Sequence, residues 1–140
     1  MGKRQKSREI AFQGIYQYDV GGLDLAQILK FNWINNKKRI PLDILLFAET
    51  LISGTIYNIT EIDKSIRDHL ENWDFSKISP VDRSILRFSI YSLLFQEEIP
   101  FVVTINEAIN ISRKFGGDKS FQFVNGILDG FQKKHAQQKG

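Results

Sequence analysis

The chain has 140 residues, of which 42% are hydrophobic and 25% charged, with a net charge of +3 at pH 7. These values are ordinary for a soluble globular domain and exclude a histone-like polycation, and the absence of cysteine excludes disulfides, thiol nucleophiles and cysteine-ligated metals. No uncharged run approaches the ~20 apolar residues of a membrane span and no signal peptide is apparent, so we expect a soluble, cytoplasmic protein.

A basic head precedes the first helical pattern. Its cations are Lys3, Arg4, Lys6 and Arg8. They run directly into a helical stripe that includes Ile10, Gly14 and Tyr18. Because the dipole of a helix makes its N-terminus prefer acids, this cluster favours an external anion such as a chain of phosphates. A solvated terminal arm is the alternative, and the head alone does not decide between them.

The central part of the chain also has helical spacing. Asp24 is a candidate N-cap for a short second helix, and a polar, basic loop follows at 35–39. Apolar residues then recur every three or four positions from 45 to 70. This pattern predicts one long helix or two, with a break at Gly54 or Asn58.

The remaining helices are bounded by caps and glycines. A linker from Asn72 to Ser79 ends with Ser79 as the N-cap of the next helix, and Thr104 opens an apparent capping box. One glycine of the pair at 116–117 is expected to be a left-handed C-cap, and the last helix begins at Asp118 or Ser120.

These patterns predict an all-α domain of six or seven helices, divided near residue 75. No segment shows the sustained period-two alternation of a strand. Gly126 and Gly130 lie inside the last helix, where each costs about 1 kcal/mol relative to alanine. We expect a close helix–helix approach to offset this cost.

A basic and aromatic ridge follows the cap at Ser79. Arg83, Arg87 and Tyr91 recur every four residues and so share one side of a helix. They could hold a partner or a phosphate, or the arginines could pair with carboxylates across a helix seam. Asp82, in the first turn, fits either a binding role or simple compensation of the helix dipole.

The turn before the last helix combines aromatic rings with cations. Phe115 and Phe123 flank it, and Arg113, Lys114 and Lys119 surround it. Stacking on bases together with attraction to the backbone is the chemistry of a single-stranded RNA site. Burial of both phenylalanines in the core is the alternative.

The sequence is poor in catalytic groups. His69 and His135 are the two histidines, and no carboxylate or histidine set has metal-ligand spacing. No serine lies on a strand–helix elbow. We therefore expect a protein that is not an enzyme.

Three blocks of the sequence resemble the NusB family of bacterial transcription antitermination factors. They are residues 8–18, residues 81–87, and Ile105–Ala108 together with 123–129. The last block, which ends Phe-Val-Asn-Gly-Ile-Leu-Asp, is the most specific. The order and spacing of the blocks fit over nearly the whole chain.

The resemblance implies two roughly perpendicular helical bundles, about 1–73 and 74–140, within one RNA-binding domain. It implies binding to boxA, a short single-stranded element in ribosomal RNA leaders, together with the ribosomal protein NusE. The pair would join RNA polymerase with other Nus factors and promote processive transcription of ribosomal RNA operons. The family uses no cofactor, and the formation of a homodimer is left open.

The resemblance also implies site residues. The RNA-binding positions fall on Lys3, Arg4, Lys6, Arg8, Phe115, Lys119 and Phe123. The NusE-facing positions fall on Tyr16 and Asp82, with Arg83 as a neighbour. Two lysines replace arginines in the head, which keeps the charge but loses bidentate phosphate geometry. Some relatives place an acid where Lys119 stands, so this chain is expected to attract RNA more strongly there.

Two other functions are compatible with the sequence. One is a protein-interaction scaffold in which the partner alone binds RNA. The other is the RNA-binding appendage of a ribosomal RNA cytosine methyltransferase, which requires a Rossmann-type catalytic half that these 140 residues do not contain.

Overall fold

Seven α-helices make up the described fold, which comes from a computed structural model covering residues 2–70 and 74–139, with side chains described through His135. The helices are α1 (Lys3–Asp19), α2 (Leu25–Leu29), α3 (Leu42–Tyr57), α4 (Ile59–Arg67), α5 (Pro80–Phe95), α6 (Phe101–Phe115) and α7 (Asp118–Lys139). Two 3₁₀ turns, Lys37–Arg39 and Phe75–Lys77, complete the order, and no strand occurs in these two ranges. The all-α prediction is confirmed, while the start of the predicted linker at Asn72 lies outside the described residues.

Two of the predicted N-caps are confirmed and a third is wrong. The Asp24 carboxylate accepts a hydrogen bond from the Gln27 backbone N–H, and the Ser79 hydroxyl accepts one from Asp82. Thr104 does not begin a helix, because α6 starts at Phe101 directly after Pro100. The Thr104 backbone N–H already donates to the Pro100 carbonyl, so Thr104 lies inside the helix.

The long pattern from 45 to 70 is two helices, with the break at Asn58. The Asn58 side-chain amide donates to the carbonyl of Gly54 at 2.8 Å, so it satisfies an acceptor near the end of α3. The axes of α3 and α4 differ by 72°. No single described helix is long and apolar enough to cross a membrane; α3 and α4 taken as a bent pair meet the length and composition for it.

The buried side chains form two hydrophobic cores that share α1. The first core joins Ile10 and Ala11 of α1 to α2 and α3. The second joins Phe12 and Ile15 of α1 to α4, α5, α6 and α7. The buried apolar side chains of α4 thus pack with α5 in the second core, whereas those of α3 belong to the first.

The glycines have different roles along the chain. A Cβ at Gly54 would collide with the Tyr91 ring, so this glycine lets α3 approach α5 closely. Gly117 has φ +86° and provides the predicted left-handed residue after α6. The expectation for Gly126 is wrong, because no heavy atom lies within 4 Å of its Cβ position, and Gly130 meets His69 only at an ordinary 3.7 Å.

Candidate functional site

The basic head forms the first two turns of α1. Lys3, Arg4 and Lys6 are exposed. The Lys3 ammonium lies 3.1 Å from the Asp43 carboxylate in an exposed pair, and the Arg4 guanidinium lies 3.7 Å from the centroid of the Phe47 ring. An exposed pair of this kind contributes little to stability, so these cations are available to an external anion.

Arg8 is placed differently from the other three cations of the head. Its residue surface is only 6% exposed, and its guanidinium lies 5.6 Å from the Phe47 ring. Burial lowers the pKa of Arg8, and the negative charge of Glu107 on α6 opposes this effect. Arg8 therefore has little surface free for a phosphate and packs among α1, α3 and α6.

Helix α1 also contacts the turn between α6 and α7. The Lys114 ammonium lies 2.7 Å from the buried carboxylate of Glu9. One turn further along α1, the rings of Phe12 and Phe115 pack with their centroids 5.0 Å apart. Phe115 keeps 37% of its surface exposed. The aromatic turn between α6 and α7 thus packs on α1 directly after the head.

Two shallow grooves meet at Phe115. The first, the turn groove, has a volume of about 500 Å³ and is lined by Phe115, Lys119, Phe123 and Asp82, among others. The second, the Tyr16 groove, has a volume of about 440 Å³ and includes Tyr16, Trp33 and Asn35. Phe115 and Val81 line both, so the grooves form one continuous surface.

The predicted RNA residues of the turn are brought together, whereas the predicted partner residues are spread. Phe115, Lys119 and Phe123 share the turn groove, and Phe123 is half-buried. Asp82 also lies in this groove, where its carboxylate accepts a hydrogen bond from the Ser120 hydroxyl. Asp82 therefore ties the start of α5 to the start of α7, and Tyr16 lies in the neighbouring groove.

The ridge on α5 is an ion-pair seam, which confirms the structural alternative for its arginines. We call Asp19, Asp63, Arg83 and Arg87 the arginine seam. Arg87 makes a bidentate pair with Asp63 at 2.9 Å, and Arg83 donates to Asp19 from Nε at 3.0 Å and from Nη2 at 2.5 Å. Burial opposes the charge of Arg87, but the hydrogen bonds and charges of Asp63 and Asp19 outweigh it and raise the pKa of Arg87.

The seam also explains why Arg83 does not reach out as a free partner contact. Its side chain is 14% exposed, and Nη1 donates to the Ile78 carbonyl at 2.9 Å. The guanidinium groups of Arg83 and Arg87 lie 5.9 and 5.7 Å from the centroid of the Phe75 ring. Arg83 thus joins α1 to α5 and to the segment before α5.

Sequence reasoning missed several residues of the site. Phe12, Glu9 and Lys114 make the contact between α1 and the turn, and Trp33 and Asn35 complete the Tyr16 groove. One signal for Phe12 was present, because Arg8, Phe12 and Tyr16 recur every four residues on one side of α1.

The histidines occupy structural positions. The Nδ1 atom of His69 lies 2.8 Å from the Ser65 carbonyl, and the rings of His69 and His135 both pack against Phe131. Within the described residues, no group of three or more His, Asp or Glu side chains is arranged to hold a metal ion.

Comparison with known proteins agrees with this arrangement. A model of the NusB family matches residues 5–133. The transcription antitermination protein NusB of Treponema denticola is 43% identical over 131 residues, which are 94% of this chain and 96% of that protein. Such relatives are named as transcription antitermination proteins and not as enzymes.

Solved structures share the fold over nearly the full length. T. maritima NusB has a TM-score of 0.85 at 36% identity, with 97% of this chain and 94% of that one covered. A structure of the antitermination factors NusB and NusE in complex with double-stranded RNA has a TM-score of 0.79 at 25% identity, with 96% and 98% covered. The family model, the full-length relatives and the seven-helix fold together show that this chain belongs to the NusB family.

Proposed function

We propose that this chain is a transcription antitermination adaptor that binds single-stranded, boxA-type RNA together with NusE. The complex joins the RNA polymerase antitermination assembly in the bacterial cytoplasm and promotes processive transcription of ribosomal RNA operons. The observation that carries the proposal is the contact of α1 with the aromatic turn, through Phe12 and Phe115. The related structure of NusB and NusE with double-stranded RNA supports RNA and NusE as the two partners.

The RNA would be held by charge and by stacking. Lys3, Arg4 and Lys6 attract the backbone from the head, and Lys119 attracts it from the turn groove. Phe115 and the half-buried Phe123 line the turn groove, and a stacked base is worth about 1–3 kcal/mol. Arg8, being buried, contributes by holding α1 in place beneath the exposed cations.

NusE would occupy the Tyr16 groove. Tyr16 and Trp33 give this groove aromatic walls with polar edges, a composition that suits a protein interface. Asp82 borders it from the adjoining turn groove, and Arg83 supports it by holding α5 against α1. RNA and NusE would then meet at Phe115, so binding of one increases the effective concentration of the other.

The RNA half is tested by titrating a boxA-type oligomer with the chain, with and without NusE, over a range of salt concentrations. Four phosphate contacts predict a slope of log affinity against log salt of about −3 for a single strand. Replacing Lys3, Arg4 and Lys6 by alanine should reduce the slope by about 2 and weaken binding. The matched control replaces Lys64, Lys133 and Lys134, three exposed cations away from both grooves.

The outcomes separate the proposal from its alternatives. Equal losses in the head variant and the control would show a general effect of net charge. RNA affinity that appears only when NusE is present would instead support a scaffold without RNA affinity of its own. A helical circular-dichroism spectrum unchanged in both variants establishes that the loss is one of binding.

The partner half is tested at Tyr16. Tyr16→Asp places a charge on the wall of the Tyr16 groove and should lower NusE affinity by tenfold or more, on the order of the 1–3 kcal/mol effect of an interface residue. The matched control is Tyr57→Asp, because Tyr57 is 79% exposed at the end of α3 and lines neither groove. Calorimetric affinities that are equal for the two variants would refute the placement of NusE.

A further inference from the structure

The 3₁₀ turn Lys37–Arg39, here called the basic turn, has a fixed shape. Asn36 precedes it in the left-handed region at φ +61°, a conformation that asparagine tolerates better than most residues. The Lys37 ammonium donates to the Lys30 carbonyl at 2.6 Å and lies 3.3 Å from the Asn32 side-chain oxygen. The chain thus closes back on the end of α2, and Lys37 uses its charge to hold the turn.

The other two cations of the basic turn are free. Lys38 and Arg39 are exposed, and neither side chain forms a hydrogen bond or ion pair with another described residue. A depression of about 500 Å³ is lined by the basic turn together with Asn32, Ile34 and Asn36. None of the described residues that line it is acidic or aromatic, so it concentrates positive charge without a ring for stacking.

One end of this segment borders the groove proposed for NusE, and the other lies near the head proposed to bind RNA. At its start, Ile34 lines the depression and also the Tyr16 groove, which contains Phe115. At its end, Arg39 comes four residues before Asp43, the partner of Lys3, and four residues span at most about 14 Å. The basic turn therefore lies close to the head and borders the Tyr16 groove.

We propose that the basic turn is a third RNA contact, in which Lys38 and Arg39 bind phosphates of the strand beyond the part held by the head. The inference rests on the proposed function. Lys37 is a positioning residue, and the side-chain NH2 groups of Asn32 and Asn36 remain as donors to phosphate or sugar oxygens. Because no described aromatic ring lines the depression, the contact adds affinity for the backbone without adding base preference.

An acidic protein surface is the other class of ligand that a cationic depression attracts. RNA is favoured here because the segment ends within about 14 Å of Asp43, the partner of Lys3, which is a cation of the head proposed to bind RNA. A phosphate chain can run continuously across cations arranged in this way. A contact with protein would instead be independent of the length of the RNA.

The test compares a short RNA of about 8 nucleotides with one of about 16, a range typical of single-strand sites. Lys38→Ala/Arg39→Ala is titrated with both by fluorescence anisotropy over a range of salt. The long RNA should bind about tenfold more weakly than to the unaltered chain, with a salt slope smaller by about 1.4, and the short RNA should be unaffected. The control, Lys64→Ala/Lys133→Ala, removes the same charge from two exposed cations of α4 and α7.

Each result has a defined meaning. Equal losses in the two double variants, or an unchanged affinity for the long RNA, would overturn the inference while leaving the proposed function in place. A loss of NusE affinity with RNA affinity unchanged would assign the basic turn to a protein contact. If the unaltered chain binds neither RNA, alone or with NusE, the proposed function itself fails. Circular dichroism confirms that both variants are folded.

Discussion

The two ends of α1 carry charges of the sign that a helix dipole disfavours, but the molecule compensates only one of them internally. At the C-terminal end, Asp19 is neutralised by Arg83 and Arg87 in the arginine seam. At the N-terminal end, Arg4 and Lys6 have no carboxylate partner among the described residues, and Lys3 has only an exposed one. The first arrangement stabilises the fold, and the second leaves charge for a ligand.

The comparison shows how residues of one type divide between structure and binding. Arg87 is 8% exposed in its side chain and meets two carboxylates, whereas Arg4 is exposed and lies over the Phe47 ring. Arg8 is intermediate, since it belongs to the head in sequence but is buried in the structure. Position in the chain therefore does not separate the two classes, but burial and a carboxylate partner do.

The largest expected effect is at Arg87. Arg87→Ala leaves the carboxylates of Asp63 and Asp19 nearly buried, with side chains 13% and 16% exposed, and without this cation. Breaking a buried pair in this way costs about 3–5 kcal/mol. Urea unfolding followed by circular dichroism should show the loss as a lower midpoint.

The matched control for this change is Lys64→Ala. Lys64 pairs with Asp68 on the surface of α4, with side chains 73% and 44% exposed. Its removal should change the free energy of unfolding by less than about 1 kcal/mol. If the two variants lost similar stability, the division between structural and available cations would be wrong.

Parts of the fold that depend on local chemistry could be predicted from the sequence. The caps at Asp24 and Ser79 and the break at Asn58 each involve residues within a few positions of one another. The prediction of a capping box at Thr104 was wrong although it also rests on local sequence, because α6 starts at Phe101, directly after Pro100. The prediction of a close helix approach at Gly126 was wrong, because the sequence does not distinguish a glycine at a helix contact from one that faces open space.

The site could be predicted in its components but not in its assembly. The cations of the head and the rings of the turn were recognisable from residue type and spacing. The packing of the turn beside the head depends on the pair of Lys114 and Glu9, which are 105 residues apart, and sequence periodicity does not indicate such a pairing. The helical spacing of the sequence likewise could not identify the partners of Arg83 and Arg87, because these acids lie on α1 and α4.

A smaller effect is expected at Arg83, which separates support of the partner surface from direct contact. Arg83→Lys keeps the charge but loses the three-nitrogen geometry that binds both Asp19 and the Ile78 carbonyl. We expect stability to fall by about 1–2 kcal/mol, with NusE affinity unchanged at a temperature where the variant is fully folded.

The control for Arg83 is Lys64→Arg, an exchange in an exposed pair, which should alter stability by no more than about 0.5 kcal/mol. Thermal unfolding and calorimetry of NusE binding are both needed. Unaltered stability combined with lost NusE affinity would make Arg83 a direct partner contact and not a support.

The smallest expected effect is on the pKa of Asp43, and it reports directly on the head. The hydrogen bond from Lys3 holds the pKa of Asp43 below its ordinary value. A lowered pKa means that ionised Asp43 favours the folded state above its ordinary pKa, and that this contribution is lost as the pH falls through the lowered value.

RNA that recruits Lys3 to a phosphate removes the hydrogen bond, so the pKa of Asp43 should rise, as it should in Lys3→Ala without RNA. Carboxyl NMR titration measures both, with Asp68 as an internal control because Lys64 lowers its pKa away from the site. A pKa of Asp43 that stays lowered in the RNA complex would show that Lys3 remains on Asp43, and the free charge at this end of α1 would then be confined to Arg4 and Lys6.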